Sequence, residues 1–343
     1  MTAQVAFIFP GQGSQAVGMG ADIFAKSAAA RQVFEQVDEA LGFSLSDLCF
    51  SGPEETLRET INAQPAIVTV SLALLAALQE SLAQGNSSWL WSFPLTPAYT
   101  AGHSVGEYSA LVVSGVLTLR DAVLLVRERG RLMHHEGTVC PGGMAAIIGM
   151  DEAALQKICQ DVTAQSTAHL PTGAHPGEGR VEIANYNAPG QIVISGEQRA
   201  LNAVMEQAKA NGAKRVIPLP VSGAFHSPVM QPAAAGLAQA IAASHLHDAA
   251  IPVIGNIHAV PLTEAEAIRE ELAQQIASSV QWVRTIEYMM SVGVTTFLEI
   301  GPGQALTGMV KRIAKGVTTL NVSNVGDLEK ATSTLRQVPR SFG

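Results

Sequence analysis

Apolar residues recur along this chain in two rhythms, and their alternation predicts an α/β fold. Val5-Ala6-Phe7-Ile8-Phe9 is a short apolar run closed by Pro10-Gly11-Gln12-Gly13, which predicts a buried strand entering a tight turn. From Asp22 to Leu41 and from Gln64 to Leu82 the apolar spacing is helical. Pro97 to Ala101 then leads into Gly102-His103-Ser104-Val105-Gly106 and another apolar helix, a strand, turn and helix in close succession. A long helix is predicted from Leu119 to about His135, ended by Pro141-Gly142-Gly143.

The rhythm changes after residue 143. Met144 to Ile148, Gln191 to Ser195 and Arg215 to Leu219 read as strands, and Asp151 to Val162 and Glu197 to Asn211 as helices. This pattern predicts a ferredoxin-like subdomain over 141–213, interrupted by a Gly/His/Pro-rich piece from Ala164 to Arg180. Residues 1–140 and 214–330 form the larger body, with further buried strands at Ile251 to Gly255 and Thr296 to Ile300, and 331–343 reads as a tail. Gln84 to Ser88 and Pro94 to Pro97 read as a surface loop or insertion. No internal repeat or low-complexity tract interrupts the pattern.

Composition narrows the function. Of 343 residues, 47% are apolar, 15% charged and 5% aromatic, with a net charge of -8, so the chain is globular and its bulk charge attracts no nucleic acid. Cys49, Cys140 and Cys159 lie too far apart for a zinc cluster or a disulfide framework, which suggests a reducing compartment. The N-terminus has no signal-peptide pattern, and no later stretch looks long enough to span a bilayer. The expectation is a cytoplasmic monomer that binds neither membrane nor nucleic acid.

The sharpest local signal is Gly102-His103-Ser104-Val105-Gly106. A serine in a G-x-S-x-G between strand and helix sits on a strained turn that exposes its hydroxyl, provided small residues flank it. A Gly-rich turn with an incidental serine is the plainer alternative. Serine needs a base, and nine histidines are available. His103 neighbours Ser104 and is expected to point away. His226 lies in Ser222-Gly223-Ala224-Phe225-His226-Ser227-Pro228, a glycine-flexed apolar turn after a strand, and is preferred modestly over a structural histidine. His245-x-His247 lacks the carboxylates or cysteines of a metal site.

On the helix from Leu119, Ala122, Leu125, Val126, Arg129, Leu132 and Met133 share one face, while Arg120, Arg127 and Arg131 lie on the other. An arginine within an apolar stripe needs an anion, which is either a buried carboxylate of the protein or one on a substrate. Gly11-Gln12-Gly13-Ser14-Gln15-Ala16 loosely fits a dinucleotide fingerprint, but no strand ending in an acidic residue follows. Its turn amides suit a developing oxyanion instead.

Gly11-Gln12-Gly13-Ser14-Gln15, Gly102-His103-Ser104-Val105-Gly106-Glu107, Arg129-Gly130, Asn185-Tyr186-Asn187-Ala188-Pro189-Gly190-Gln191, Gly223-Ala224-Phe225-His226-Ser227 and Gly301-Pro302-Gly303 together resemble the malonyl-CoA:acyl-carrier-protein transacylase family, across nearly the whole chain. The resemblance implies an α/β-hydrolase-like large domain with a ferredoxin-like insert. It implies ping-pong acyl transfer with malonyl-CoA and an acyl carrier protein as partners and no cofactor.

Position by position, it makes Ser104 the nucleophile and His226 its base. The Gln12 and Val105 amides become the oxyanion hole, and Arg129 the clamp on the free malonyl carboxylate. It assigns the orientation of the histidine to a main-chain carbonyl at Gln275, and gives His103, Met133 and Phe225 places in the substrate pocket. Gly-Ala-Phe-His resembles malonyl-selective acyltransferases of polyketide synthases, and the segments 85–97 and 164–180 look longer than in the fatty-acid enzymes. No carrier or ketosynthase segment accompanies the motifs, so the acceptor is expected on a separate chain. An acyl hydrolase on the same fold is the runner-up, and a dinucleotide-dependent oxidoreductase the alternative of another class. Lys311, Arg312 and Lys315, or Arg120, Arg127 and Arg131, would offer a basic patch to an acidic carrier.

Overall fold

A computed structural model describes residues 4–83 and 95–337. Among the described residues ten strands form two sheets: β1 (Gln4–Phe9), β2 (Tyr99–Gly102), β3 (Gly142–Ile148), β4 (Val181–Ala188), β5 (Gln191–Glu197), β6 (Arg215–Pro218), β7 (Val253–Ile254), β8 (Pro261–Leu262), β9 (Val294–Ile300) and β10 (Thr318–Val322). The larger sheet runs β10-β9-β1-β2-β7-β8, parallel except for the edge pair β7–β8. Its central strand β1 is fully apolar from Val5 to Phe9 and buried throughout, as expected for a parallel strand covered on both faces.

One face of this sheet packs on the helix Thr60–Leu82, almost every residue of which is buried. That helix is long and apolar enough to cross a membrane by length and composition, which corrects the expectation that no stretch is. Its apolar window is instead 94% buried inside the protein, so here it is a core helix. Residues around Trp282, Ile286, Phe297 and Val310 form a second apolar layer on the opposite face.

The smaller sheet is antiparallel in the order β4-β5-β3-β6, with helices Glu152–Thr167 and Gln198–Ala210 packed on it. It has its own core of Ile147, Leu155, Ile183, Ile194 and Val204. This is the ferredoxin-like unit, inserted between the helix Leu119–Val139 and the His226 turn; it extends past the expected 141–213, because β6 (Arg215–Pro218) pairs with β3 and completes the small sheet. It is tied to the body where β4 meets Val280: the Tyr186 amide donates to the Val280 carbonyl at 3.0 Å, and the Val280 amide to Ala184 at 2.8 Å.

Several boundaries differ from the sequence reading. The helix expected from Asp22 to Leu41 is two, Ala21–Lys26 and Ala28–Leu41, because Ser27 leaves helical geometry to accept a hydrogen bond from the Ala30 amide as an N-cap. Gly142 and Gly143 lie inside β3, where a side chain on Gly142 would strike the Gly196 carbonyl of β5. Residues 331–337, read as part of a tail, belong to a helix, Val325–Gln337, that buries Leu328, Ala331 and Leu335. Trp89, Trp91 and most of the segment 85–97 lie outside the described residues.

Sheet register builds the site. Phe9 pairs with Gly102, so β1 and β2 end side by side and their following turns, 10–14 and 103–106, meet at the carboxyl edge of the sheet. The third turn at that edge is Gly301-Pro302-Gly303, where Gly301 has φ 149° and a Cβ would lie 2.5 Å from the Pro10 ring and the Ser71 hydroxyl.

Candidate active site

Ser104 occupies the left-handed region with φ 53°, which an L-residue adopts only under constraint. The constraint is steric crowding on both sides. A Cβ on Gly102 would lie 1.9 Å from the Gly106 carbonyl carbon, and one on Gly106 would lie 2.3 Å from the Phe9 oxygen. Asn256 fastens the elbow from beneath, accepting from the Ser104 amide and donating to the Gly102 carbonyl, both at 2.8 Å. The role of Asn256 is recognisable only once the loop after β7 is brought under the elbow.

His226 also has a positive φ of 58° and is buried. Its Nδ1 lies 3.0 Å from the main-chain oxygens of both Gln275 and Ser278. Carbonyls only accept, so Nδ1 carries the proton, and Nε2 is left as a lone pair 2.7 Å from Ser104 Oγ. Among the described residues no acidic side chain orients the ring. Burial, then the positive charge of Arg129, then His103, push the His226 pKa down to about 3, which keeps the imidazole neutral and able to accept a proton. In the free protein, kcat/KM for the acyl donor should therefore show no acid limb near pH 6.5, the value of an unperturbed imidazole. A pH profile from about 5 to 9 checks this, and a limb centred near 6.5 would contradict it.

Arg129 is 1% exposed on the helix Leu119–Val139. The sequence left a protein carboxylate and a substrate carboxylate open as its partner. Among the described residues no carboxylate forms an ion pair with it. Amide oxygens hold it instead: Nη1 donates to Gln64 Oε1 at 2.7 Å and Nη2 to Gln275 Oε1 at 2.9 Å, with Ser104 Oγ 3.1 Å from Nη2. Burying a cation among neutral dipoles is costly, and an anion delivered by a ligand would offset that cost. Gln64 escaped the sequence reading because it sits in an otherwise apolar helix. Its amide also donates to Met133 Sδ at 3.3 Å.

Ser104 and His226 open onto a cavity of about 160 Å³ between the two domains, with Arg129 set behind the Ser104 hydroxyl. Gln12, His103, Ser104, Met133, Phe225 and His226 all line it. Val105 is the N-cap of the helix Gly106–Val113, and the Gly106, Glu107 and Tyr108 amides that follow it donate to the His103, Ser104 and Val105 carbonyls. His103 Nε2 lies 2.8 Å from Asn187 Oδ1 of β4 and its ring tilts against Trp282, so it helps join the subdomain to the elbow. Gln12 donates to Thr60 Oγ1 at 3.1 Å, and Thr60 in turn lies 3.2 Å from Ser222 Oγ, which ties the first turn to the segment before His226.

Phe225 is 4% exposed and walls the cavity beside Met133 and Met144. A ring at this place narrows the cavity. Phe225→Ser should raise kcat/KM for an acyl donor branched by one methyl group beside its carbonyl relative to the unbranched donor, within the roughly 1 to 3 kcal/mol that one methyl group is worth. An unchanged ratio would remove Phe225 from the specificity wall.

The two proposed basic clusters fare differently. Arg127 is turned into the protein, donating to the Ile61 carbonyl and Asn62 Oδ1 and lying 4.8 Å from the Phe43 ring centre, and Arg131 forms a two-pronged pair with Glu128. Local partners absorb both, so they make no free basic face with Arg120. Arg312 is also engaged, donating to Gln191 Oε1 and the Pro189 carbonyl, whereas Lys311 and Lys315 are exposed. No group of three or more potential metal ligands occurs among the described residues.

A serine on a strained elbow with a neutral imidazole at its hydroxyl is built to form and break acyl esters, on an α/β scaffold whose second domain closes over the acyl cavity. The class is that of the α/β acyltransferases, and the acyl transferase domain family matches residues 6–341. The chain is 43% identical over 335 residues to a malonyl CoA-acyl carrier protein transacylase of Bacillus subtilis, covering 98% of each protein. An acyl-carrier-protein S-malonyltransferase from Bartonella henselae superposes with a TM-score of 0.87 at 40% identity, covering 97% of this chain and 99% of the other. A malonyl-transacylase solved in complex with its type II polyketide acyl-carrier protein superposes with a TM-score of 0.86 at 36% identity, covering 97% of this chain and all of the other. The chain belongs to the malonyl-CoA:acyl-carrier-protein transacylase family.

Proposed function

We propose that this chain moves a malonyl group from malonyl-CoA to the phosphopantetheine thiol of a separate acyl carrier protein, through an ester on Ser104. The observation that carries the reading is Arg129, a buried guanidinium without an internal carboxylate, 3.1 Å from the Ser104 hydroxyl. A malonyl thioester has a carboxylate and a reactive carbonyl one methylene apart, so pairing the first with Arg129 brings the second to Ser104.

In the first half, His226 Nε2 takes the Ser104 proton as Oγ attacks the thioester carbonyl. The Gln12 and Val105 amides receive the oxyanion. Collapse breaks the C–S bond, and the imidazolium returns its proton to the departing CoA thiolate. In the second half His226 deprotonates the carrier thiol, which attacks the seryl ester, and Ser104 recovers its proton. The main-chain oxygens of Gln275 and Ser278 stabilise the imidazolium in both halves.

The same serine and histidine could pass the acyl group to water, as in a hydrolase. Arg129 weighs against that reading, because an acyl chain without a carboxylate leaves the buried guanidinium unpaired. The pathway served is polyketide or fatty-acid synthesis, and three free, buried cysteines support a reducing, cytoplasmic setting. Initial rates with malonyl-CoA and carrier varied together should give parallel double-reciprocal lines, and malonyl-enzyme should form without carrier. Intersecting lines with no carrier-independent adduct, or hydrolysis outrunning transfer, would overturn the proposal.

Exposed Lys311 and Lys315 lie at and just beyond the end of the helix Ala305–Ile313, which supplies Ala305, Leu306 and Met309 to the cavity wall. An acidic carrier would dock there through screened, salt-sensitive contacts. Reversing both lysines to glutamate should raise KM for the carrier several-fold and leave malonylation by malonyl-CoA unchanged. Arg312 is left alone, since its bonds to Pro189 and Gln191 hold the subdomain. Carrier transfer indifferent to both reversals and salt would place docking elsewhere.

A further inference from the structure

Glu107 is a buried carboxylic acid that the mechanism above does not use. It follows the elbow in the helix Gly106–Val113 and has no exposed surface. Its Oε2 accepts from Gln275 Nε2, and Oε1 has no partner. The same Gln275 Nε2 donates to the Ser104 carbonyl at 3.0 Å, while Gln275 Oε1 faces Arg129. Gln275 thus spends both amide hydrogens on acceptors behind the elbow and turns its oxygen to the guanidinium.

Glu107 has no ion pair with Arg129, although the two lie in the same buried cluster. Beside it lies the half-turn 255–257, whose Ile257 amide is held at 2.8 Å by a second buried acid, Glu271. Burial and the charge of Glu271 hold the Glu107 carboxyl well above the usual carboxylate range, which favours its uncharged form. An uncharged acid can accept from Gln275 without competing with a substrate carboxylate for Arg129.

We propose that Glu107 is a positioning residue for carboxylate-bearing acyl groups: it acts through Gln275 as a hydrogen-bond acceptor that fixes Arg129, and not as the countercharge of the guanidinium. The proposal rests on Arg129 as the malonyl clamp. Removing the acceptor leaves one amide hydrogen of Gln275 buried and unpaired, so Gln275 shifts and Arg129 loses an oxygen that holds it. Acyl groups without a carboxylate make no use of that arrangement.

The test compares wild type, Glu107→Met and Glu107→Gln for the rates of self-acylation by malonyl-CoA and acetyl-CoA. Methionine keeps the side-chain length and replaces the carboxyl oxygen by a thioether sulfur, a far weaker acceptor. The malonyl-to-acetyl ratio should fall about tenfold in Glu107→Met and return to within about threefold of wild type in Glu107→Gln, whose amide oxygen can accept in place of the carboxyl. A Glu107→Gln ratio more than about threefold from wild type would show that charge matters, and would overturn the proposal even if Glu107→Met fails to fold. Equal losses of malonyl and acetyl rates in Glu107→Met would make Glu107 a packing residue and overturn it as well. A wild type that does not discriminate malonyl from acetyl would refute the Arg129 clamp itself, an outcome distinct from either variant result.

Discussion

Ser104→Ala is expected to leave no malonyl adduct on the protein and to reduce carrier malonylation by about 10⁴-fold or more. The size of this effect follows from the geometry. His226 Nε2 has one substrate-side partner, the Ser104 hydroxyl at 2.7 Å, while the other serine of the cavity wall, Ser14, spends its hydroxyl on the Gly11 carbonyl at 2.8 Å with no base beside it. The three cysteines are buried, and burial pushes the Cys49 and Cys159 thiols up to about 12 and Cys140 to about 11, far from thiolate reactivity. Alanine also fits the strained φ of residue 104 no worse than serine does, so the variant should fold and the loss should be chemical. Thermal melting of the variant alongside its adduct mass checks both halves of that expectation.

The second large effect is a change of selectivity. Arg129→Ala should cut malonyl transfer by about 30- to 1,000-fold, the equivalent of the roughly 2 to 4 kcal/mol carried by a two-pronged charged hydrogen bond. Acetyl transfer should hold steady or rise. The guanidinium is desolvated and supported by the oxygens of Gln64 and Gln275, so for an uncharged acyl group it contributes only an unpaired charge near the oxyanion site. Rates of CoA release from malonyl-CoA and acetyl-CoA, measured on the same preparation, give the ratio directly. A parallel fall in both would mean that Arg129 serves the fold and that the carboxylate is bound elsewhere.

Sequence pattern carried much of this account, and the places where it failed have physical causes. The strand at 5–9, the elbow at 102–106 and the strand-helix order of the subdomain were legible because buried parallel strands are continuous apolar runs and the elbow depends on its two glycines. Strand β4 was not read, since Asn185 and Asn187 break its apolar alternation where it turns polar groups toward the cavity. Strand β10, with its pattern of threonines and an asparagine, gives no buried run at all.

The site divides in the same way. Ser104, His226 and Arg129 stood out as residues at odds with their apolar or glycine-rich surroundings, and the structure brings all three together. Gln64 did not stand out, and Glu107 and Asn256, though present in the matched pattern, carried no legible role, because the work of all three lies in holding other residues. Such a role is defined by partners 65, 152 and 168 positions away in the chain, and no local spacing encodes it. The basic faces failed for a related reason: helical periodicity can place Arg127 and Arg131 outside a core stripe, but it cannot show that neighbours already engage them.

The most direct test of the central claim is to mix the protein with malonyl-CoA alone, quench in acid within the first turnover, and map the modified peptide by mass spectrometry. One malonyl group should be found on Ser104, formed faster than the acetyl group from acetyl-CoA and absent from Ser104→Ala. A malonyl group on any other residue, or none before carrier protein is added, would contradict acyl transfer through a Ser104 ester.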